Sequence, residues 1–256
     1  MGTKHAVSFN SGRSSFLAIL ENLGLESGDE VLLQAFTCNA VPNPVLWAGL
    51  KPVYVDCNED DFNIDVVDLE KKITPKSKVV LVQHTFGLPA DIEKIQEICD
   101  KHNLVLVEDC AHALGALYKG KQVGTFGKAA FFSFSRDKVI SCVYGGMAVT
   151  NDSVLAEKIS AAQEEMRTPS YIWILQQLLH PLFMSVVLSI YGIGGKYLLI
   201  ALQQFHILSK AVHKREKRGV KPEYFPSSLP AGLAVLASHQ LKKLDRFNKH
   251  RKDIAK

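Results

Sequence analysis

The 256-residue sequence predicts an α/β protein built on a mostly parallel sheet with helices on both faces, followed by an apolar helical hairpin. Three observations carry this. Short valine-rich runs alternate with segments of helical period through the first 150 residues. Those runs are apolar throughout, the pattern of strands buried on both faces. An apolar fraction of 47% over this length suffices for a full core, in one large domain or two small ones.

The elements follow in order. SSFLAILENLGL, from Ser14, places apolar residues at helical spacing and meets Gly24 as a stop. EVLLQ (30–34) reads as a strand, NAVPNPVLWAGL as a helix stopped at Gly49, and KPVYVD (51–56) as the next strand. DVVDLEKKI and DIEKIQEICDKHN read as helices, each feeding a strand, KVVLVQ (78–83) and LVLVED (104–109). Helices between parallel strands imply right-handed crossovers. From Gly115 the pattern changes: ALYKGKQVG predicts a hairpin with a Lys119-Gly120 turn, and AAFFSF and GGMAVT predict further short strands.

Composition excludes several classes. A net charge of +4 gives no general argument for nucleic acid, so none is expected as a partner. Cys38, Cys57, Cys99, Cys110 and Cys142 form no CxxC pair, which argues against a disulfide framework and against a zinc site; a reducing cytoplasm fits and no metal is expected. The first residues lack the charged start and apolar run of a secretory signal, and Ala6 breaks the myristoylation pattern.

In a sheet of this kind, ligands collect beyond the carboxyl ends of the strands. Asp109 lies there at the end of LVLVED, as do His84 after KVVLVQ and the stretch from Ser133 to Lys138 after AAFF. An acid and an amine so placed suit pyridoxal 5'-phosphate, whose ring nitrogen needs an acid and whose aldehyde needs an amine. In FNSGRSSFLAIL, Ser11, Gly12, Arg13 and Ser14 open a helix, where unpaired amides and the helix dipole favour a phosphate; Ser133 would add a hydroxyl. Blander readings stand beside these. Asp109 would cap a helix over ALGA, Lys138 would be a solvated lysine, Ser133 a strand residue facing solvent, Ser11 a plain cap and His84 a satisfied core histidine.

Several long stretches in register carry a resemblance. NSGRSSFLAILENLGLESGDEVLLQAFTCNAV, KPVYVDCNEDDFNIDVVDLEKKITPKSKVVLVQHTFGLPADI, VEDCAHALGALYKGKQVGTFGKAAFFSFSRDK and GGMAVTND resemble the large domain of the DegT/DnrJ/EryC1/StrS family. The likeness covers roughly residues 6–165 and weakly 224–256. It implies an aspartate aminotransferase-like fold with a seven-stranded-type sheet, and a pyridoxal-phosphate-dependent aminotransferase moving an amino group, with glutamate as donor, to a nucleotide-linked keto sugar for cell-surface polysaccharide. Residue by residue, it implies Lys138 as the catalytic Schiff-base lysine and general base, Asp109 as partner of the ring nitrogen, and Gly12, Arg13 and Ser133 as holders of the phosphate, the first two through backbone amides. Cys38 stands where many members stack an aromatic ring on the cofactor, and His112 where they have a glutamine bonded to its hydroxyl; an imidazole there would titrate. Lysine at 138, instead of the histidine of a dehydrating branch, favours transamination.

The same likeness divides the chain into a cofactor-binding large domain (1–168), an insert (169–222) and a helix (223–256) leading toward a small C-terminal domain the chain lacks. A segment usual before FNSG is also missing, which suggests a shortened form or a piece, and the family's asparagine ahead of the last helix is replaced near Pro226. Type I sites are built between subunits, so the resemblance implies a homodimer. A second functional reading follows from the missing segments and the insert: an inactive, membrane-attached scaffold or regulator. After Pro230 the sequence predicts one continuous helix with Leu233, Leu236, Leu241 and Leu244 on its apolar face.

The insert reads as two apolar arms, YIWILQQLLHPLFMSVVLSIY and KYLLIALQQFHILSKAV, joined by GIGG. Gln176, Gln177, His180 and Pro181 interrupt the first arm and Lys196 opens the second, so neither is a clean span of about 20 apolar residues. Lys210, Lys214, Arg215, Lys217, Arg218 and Lys221 follow, opposed only by Glu216. Apolar helices beside a basic cluster suit peripheral contact with an anionic membrane through 172–221, at the inner face; each such cation adds about 1 kcal/mol near a bilayer. A hairpin buried at a dimer interface, with a solvated basic loop, has the same pattern.

Overall fold

The computed structural model describes residues 2–209, 212–213 and 215–255. Its sheet is assembled from β1 (His5–Phe9), β2 (Glu30–Gln34), β3 (Lys51–Val55), β4 (Ser77–Gln83), β5 (Val105–Asp109), β8 (Ala129–Ser133) and β9 (Gly146–Thr150), while β6 (Leu117–Tyr118) and β7 (Lys121–Gln122) form the expected hairpin. The seven strands lie in the order β1-β9-β8-β5-β4-β2-β3. β3, β2, β4, β5 and β8 pair in parallel; β9 is antiparallel to β8, and β1 to β9. The fold class is the one the sequence implies. β1 is an element the sequence reading passed over, since HAVSF carries only one fully buried residue and sits at the sheet edge.

Side chains alternate between two buried clusters, which explains why the strands read as unbroken apolar runs. Leu32, Val80, Val82, Leu106 and Phe132 face one way, onto Ile92, Ile95 and Cys99 of α4 (Ile92–His102) and Leu69 of α3 (Val66–Lys71). Val31, Leu33, Val79, Leu81, Val107 and Phe131 face the other, onto α1 (Gly12–Asn22), α2 (Pro42–Trp47) and α5 (Ser153–Glu164). The stops fall where expected: α1 ends at Leu23 and α2 at Ala48, and Gly24 and Gly49 follow at φ +74° and +75°.

The insert forms α6 (Tyr171–Ser189) and α7 (Gly195–Gln204), packed on each other across a turn in which Gly194 takes φ +139°. The second arm stops at Gln204, short of the expected 212; Lys210 and Lys214 lie outside the described residues. α6 is long and apolar enough to cross a membrane by length and composition. Its burial is inverted: Gln177, His180 and Val187 are its buried residues, while Tyr171 and Ile172 are more than 80% exposed and Leu175, Leu182, Val186 and Leu188 more than half. Of the residues that interrupt the sequence pattern, Gln177 and His180 are therefore turned into the protein, while Gln176 is partly buried and Pro181 exposed.

The run after Pro230 is two helices instead of one, α8 (Ala231–Leu241) and α9 (Leu244–Ile254), broken at Lys242 and Lys243. The break lets α9 pack on the loop after β5, where Leu244 and Phe247 join the core and the Asn248 amide donates to the Leu114 carbonyl at 3.0 Å.

Candidate active site

The carboxyl edge of the sheet gathers the ends of β4, β5 and β8 around a cavity of about 350 Å³. Asp109 enters it from the end of β5. Its carboxyl is fully buried and accepts the Ala111 amide at 2.9 Å, so it caps a turn, and no helix forms over ALGA. Burial pushes its pKa up, against the pull of that amide, Lys138 and His84. Lys138 enters from the loop after β8, its side chain 13% exposed and its Nζ 3.5 Å from Asp137, whose carboxylate lies in solvent. The loop is held by Phe134 N–H donating to the Gly145 carbonyl and Cys142 N–H to the Phe134 carbonyl.

The N-terminus of α1 forms a third wall. Ser11 caps it, accepting the Ser14 amide at 3.1 Å, and no acid occupies the first turn. Phe16 of α1 stacks on Phe131 of β8 at 4.9 Å, which seats the helix on the sheet. A Cβ on Gly146 would lie 2.2 Å from the Ser11 carbonyl carbon and 2.3 Å from the Gly12 nitrogen, so only glycine lets the helix start come this close to β9. Ser133 ends β8 against Gly12, its Oγ 2.8 Å from that of Ser135.

Gly12, Arg13, Cys38, Asp109, His112, Ser133 and Lys138 all line this one cavity. The Arg13 side chain turns away from it to pair with Glu216, a contact between two buried groups, and its guanidinium lies 4.5 Å over the Phe225 ring. Cys38 is exposed at the rim. His112 is half-buried, and burial followed by the Lys138 charge holds its pKa below the usual imidazole range. His84 does not line the cavity. It is a satisfied core histidine, its Nδ1 accepting the Ala90 amide and its Nε2 lying 3.2 Å from Glu108. Glu108 also accepts from Gly124, Phe126 and Gly127; burial raises its pKa, and the His84 bond and these amides outweigh that and hold it low. Beside Cys110, the His84 ring and the Glu108 carboxylate are thus both taken up by internal hydrogen bonds.

Three site residues escaped the sequence reading. Phe86 lies parallel to His112, with ring centroids 6.3 Å apart, and stands at φ +54°. Val143 also lines the cavity at φ +72°, a costly conformation for a β-branched residue. Arg136, beside Asp137, lines the cavity and donates to the Ser209 carbonyl. Only the position of QHTFG just after a strand hinted at the first of these.

A profile of the DegT/DnrJ/EryC1/StrS aminotransferase family matches residues 1–170. The chain belongs to this family. Among DegT/DnrJ/EryC1/StrS relatives, it is 38% identical to GDP-perosamine synthase of Caulobacter vibrioides, over 66% of this chain and 46% of that protein. It is 32% identical to the putative pyridoxal phosphate-dependent aminotransferase EpsN of Bacillus subtilis, over 84% and 55%. Of solved structures, Helicobacter pylori PseC, an aminotransferase of pseudaminic acid biosynthesis, superposes with a TM-score of 0.62 at 34% identity, covering 67% of this chain and 47% of that one. The chain spans about half the length of the curated relatives it matches.

Proposed function

We propose that this chain forms the cofactor-binding core of a pyridoxal-phosphate-dependent aminotransferase that moves an amino group from glutamate to a nucleotide-linked keto sugar in polysaccharide biosynthesis. The observation that carries the reading is the meeting of Asp109, Lys138 and the α1 N-terminus in one cavity. The donor set fits the cofactor. A fully buried carboxyl with a raised pKa is costly as a lone anion, and a protonated ring nitrogen supplies the counter-charge it lacks. The first-turn amides of a helix have no intrahelical acceptors, and with the Ser133 hydroxyl they make a cradle for a phosphate.

Bound there, pyridoxal phosphate would supply an electron sink for the carbon bearing the amino group. Asp109 would face its ring nitrogen and favour the protonated form. Gly12, Arg13 and Ser133 would hold its phosphate and His112 its ring hydroxyl, with the Phe86 ring lying parallel to that of His112. Lys138 would hold the group through its amine, and the same amine would carry the proton between the donor carbon and the cofactor carbon. The alternating use of donor and acceptor would give ping-pong kinetics. An inactive scaffold is not favoured, because the relatives are named as enzymes and the acid, amine and cradle are all present.

Incubated with the cofactor, the wild-type chain is expected to gain a visible absorbance band and, after borohydride reduction, one cofactor mass on the peptide holding Lys138. Lys138→Ala gains neither. Labelling of a different lysine, or no band in folded protein, overturns the proposal.

The proposal extends to a homodimer and to contact between the helical pair and an anionic membrane at the cytoplasmic face. Supporting the contact, the outward face of α6 is apolar, while Arg215, Lys217, Arg218 and Lys221 are exposed and Glu216 is buried away from them. Flotation with anionic vesicles should carry the chain upward. Replacing those four cations with glutamine should return most of it to the soluble fraction, as about 1 kcal/mol per cation predicts. Flotation unaffected by charge, or equal on neutral vesicles, removes the anionic surface.

A further inference from the structure

A second cavity, of about 470 Å³, lies next to the first and shares Tyr144 with it. The insert builds much of it. Tyr144, Trp173 and Tyr224 line it with aromatic rings, and Gln203, Gln204 and Ser209 with neutral hydrogen-bonding groups. Among the described residues, no carboxylate, lysine or arginine lines it. Its volume is in the range of small-molecule sites, roughly 300–1,000 Å³. Aromatic faces with amides and hydroxyls suit a neutral, flat, hydrogen-bonding ring: stacking supplies affinity and the amides read the edge. The side chains of Gln203 and Gln204 make no hydrogen bond within the described residues, so both amides are available to a ligand.

Arg136 stands between the two cavities. It lines the first, and its guanidinium donates to the Ser209 carbonyl at 2.6 Å and to the Ser209 hydroxyl, both on the wall of the second. It also lies 5.3 Å over the Tyr144 ring, the residue common to both. Gln177 accepts from it at 3.4 Å, and its Nε is buried without a partner. Each of these partners is neutral, so a largely buried cation has no anion bonded to it among the described residues. Burial accordingly lowers its pKa, and a bound anion would relieve that cost.

We propose that the second cavity seats the nucleoside of the substrate, with Arg136 facing the diphosphate that joins it to the sugar at Lys138. The order along the wall is reacting amine, cation, then aromatic and amide box, which matches the order sugar, diphosphate, base. This deepens the aminotransferase reading and rests on it for the sugar end alone. The helical pair then has a role in recognition, as the wall that reads the nucleoside.

Titration calorimetry of the cofactor-loaded full chain with UDP, GDP, dTDP and inorganic diphosphate tests this. At least one nucleoside diphosphate should bind more tightly than inorganic diphosphate. Gln203→Leu, which breaks no internal bond, and Trp173→Leu should each weaken it by about tenfold, the worth of one hydrogen bond or one stacked ring, and leave inorganic diphosphate unchanged. Arg136→Met should weaken both ligands. If no nucleoside diphosphate outbinds inorganic diphosphate, or if Gln203→Leu binds it like the wild type, the inference fails. The absorbance of the same samples separates the two ideas. An intact cofactor band with nucleotide binding indifferent to Gln203 sinks this inference alone, while nucleotide binding sensitive to Gln203 in protein that never gains the band sinks the transferase reading alone.

Discussion

Asp109→Asn is expected to leave the protein folded and to slow amine transfer by about two to three orders of magnitude, the usual cost of removing one preorganised charge from a closed site. The reasoning is electrostatic. Asparagine has the same shape, and its oxygen can still accept the Ala111 amide, so the turn after β5 persists. What it lacks is the negative charge. In a site this buried, that charge is what makes a protonated ring nitrogen cheaper than a neutral one. The effect should fall on turnover, with donor binding little changed, and single-turnover mixing with glutamate measures it directly. A variant within threefold of wild type would show that Asp109 merely caps its turn.

The second large effect concerns stability. Glu216→Gln should lower the unfolding free energy by about 3–5 kcal/mol, the typical result of removing one partner from a buried ion pair. Glu216 binds Arg13 through one oxygen and accepts the His213 amide at 2.8 Å through the other, while its carbonyl accepts from Asn43. The glutamine keeps acceptors but cancels the charge opposite a buried guanidinium. Since Arg13 opens α1, cofactor affinity should fall with stability. Urea unfolding, followed with and without cofactor, reads both. Replacing Arg13 by Met together with Glu216 by Leu should recover much of the lost stability, because two apolar groups leave no isolated charge.

The fold was readable because its strands are buried on both faces and its turns carry Gly24, Gly49 and Lys119-Gly120, local signals that tertiary structure reinforces. β1 was not, since an edge strand of five residues owes its conformation to pairing with β9. The break at Lys242 was hidden for a related reason: nothing in the helix sequence requires it, and only docking of α9 onto the loop after β5 does. At the site, Asp109, Lys138 and the start of α1 were visible because strand ends and helix starts are legible positions. Phe86, Val143, Arg136 and Glu216 were not. Glu216 in particular reads as a lone acid in a basic run, whereas the fold brings it to Arg13 across a sequence separation of 203.

Because Gln177 and the backbone at Ser209 grip Arg136, the greasy arms cannot be trimmed away to ease handling without cost. A chain cut from 172 to 208 would lose the oxygen of Gln177 and the geometry that presents Ser209, leaving a guanidinium to swing into the space beside Lys138. Solubility gained by such surgery would come with a remodelled reaction chamber, so surface charge swaps are the cleaner tool for separating attachment from catalysis.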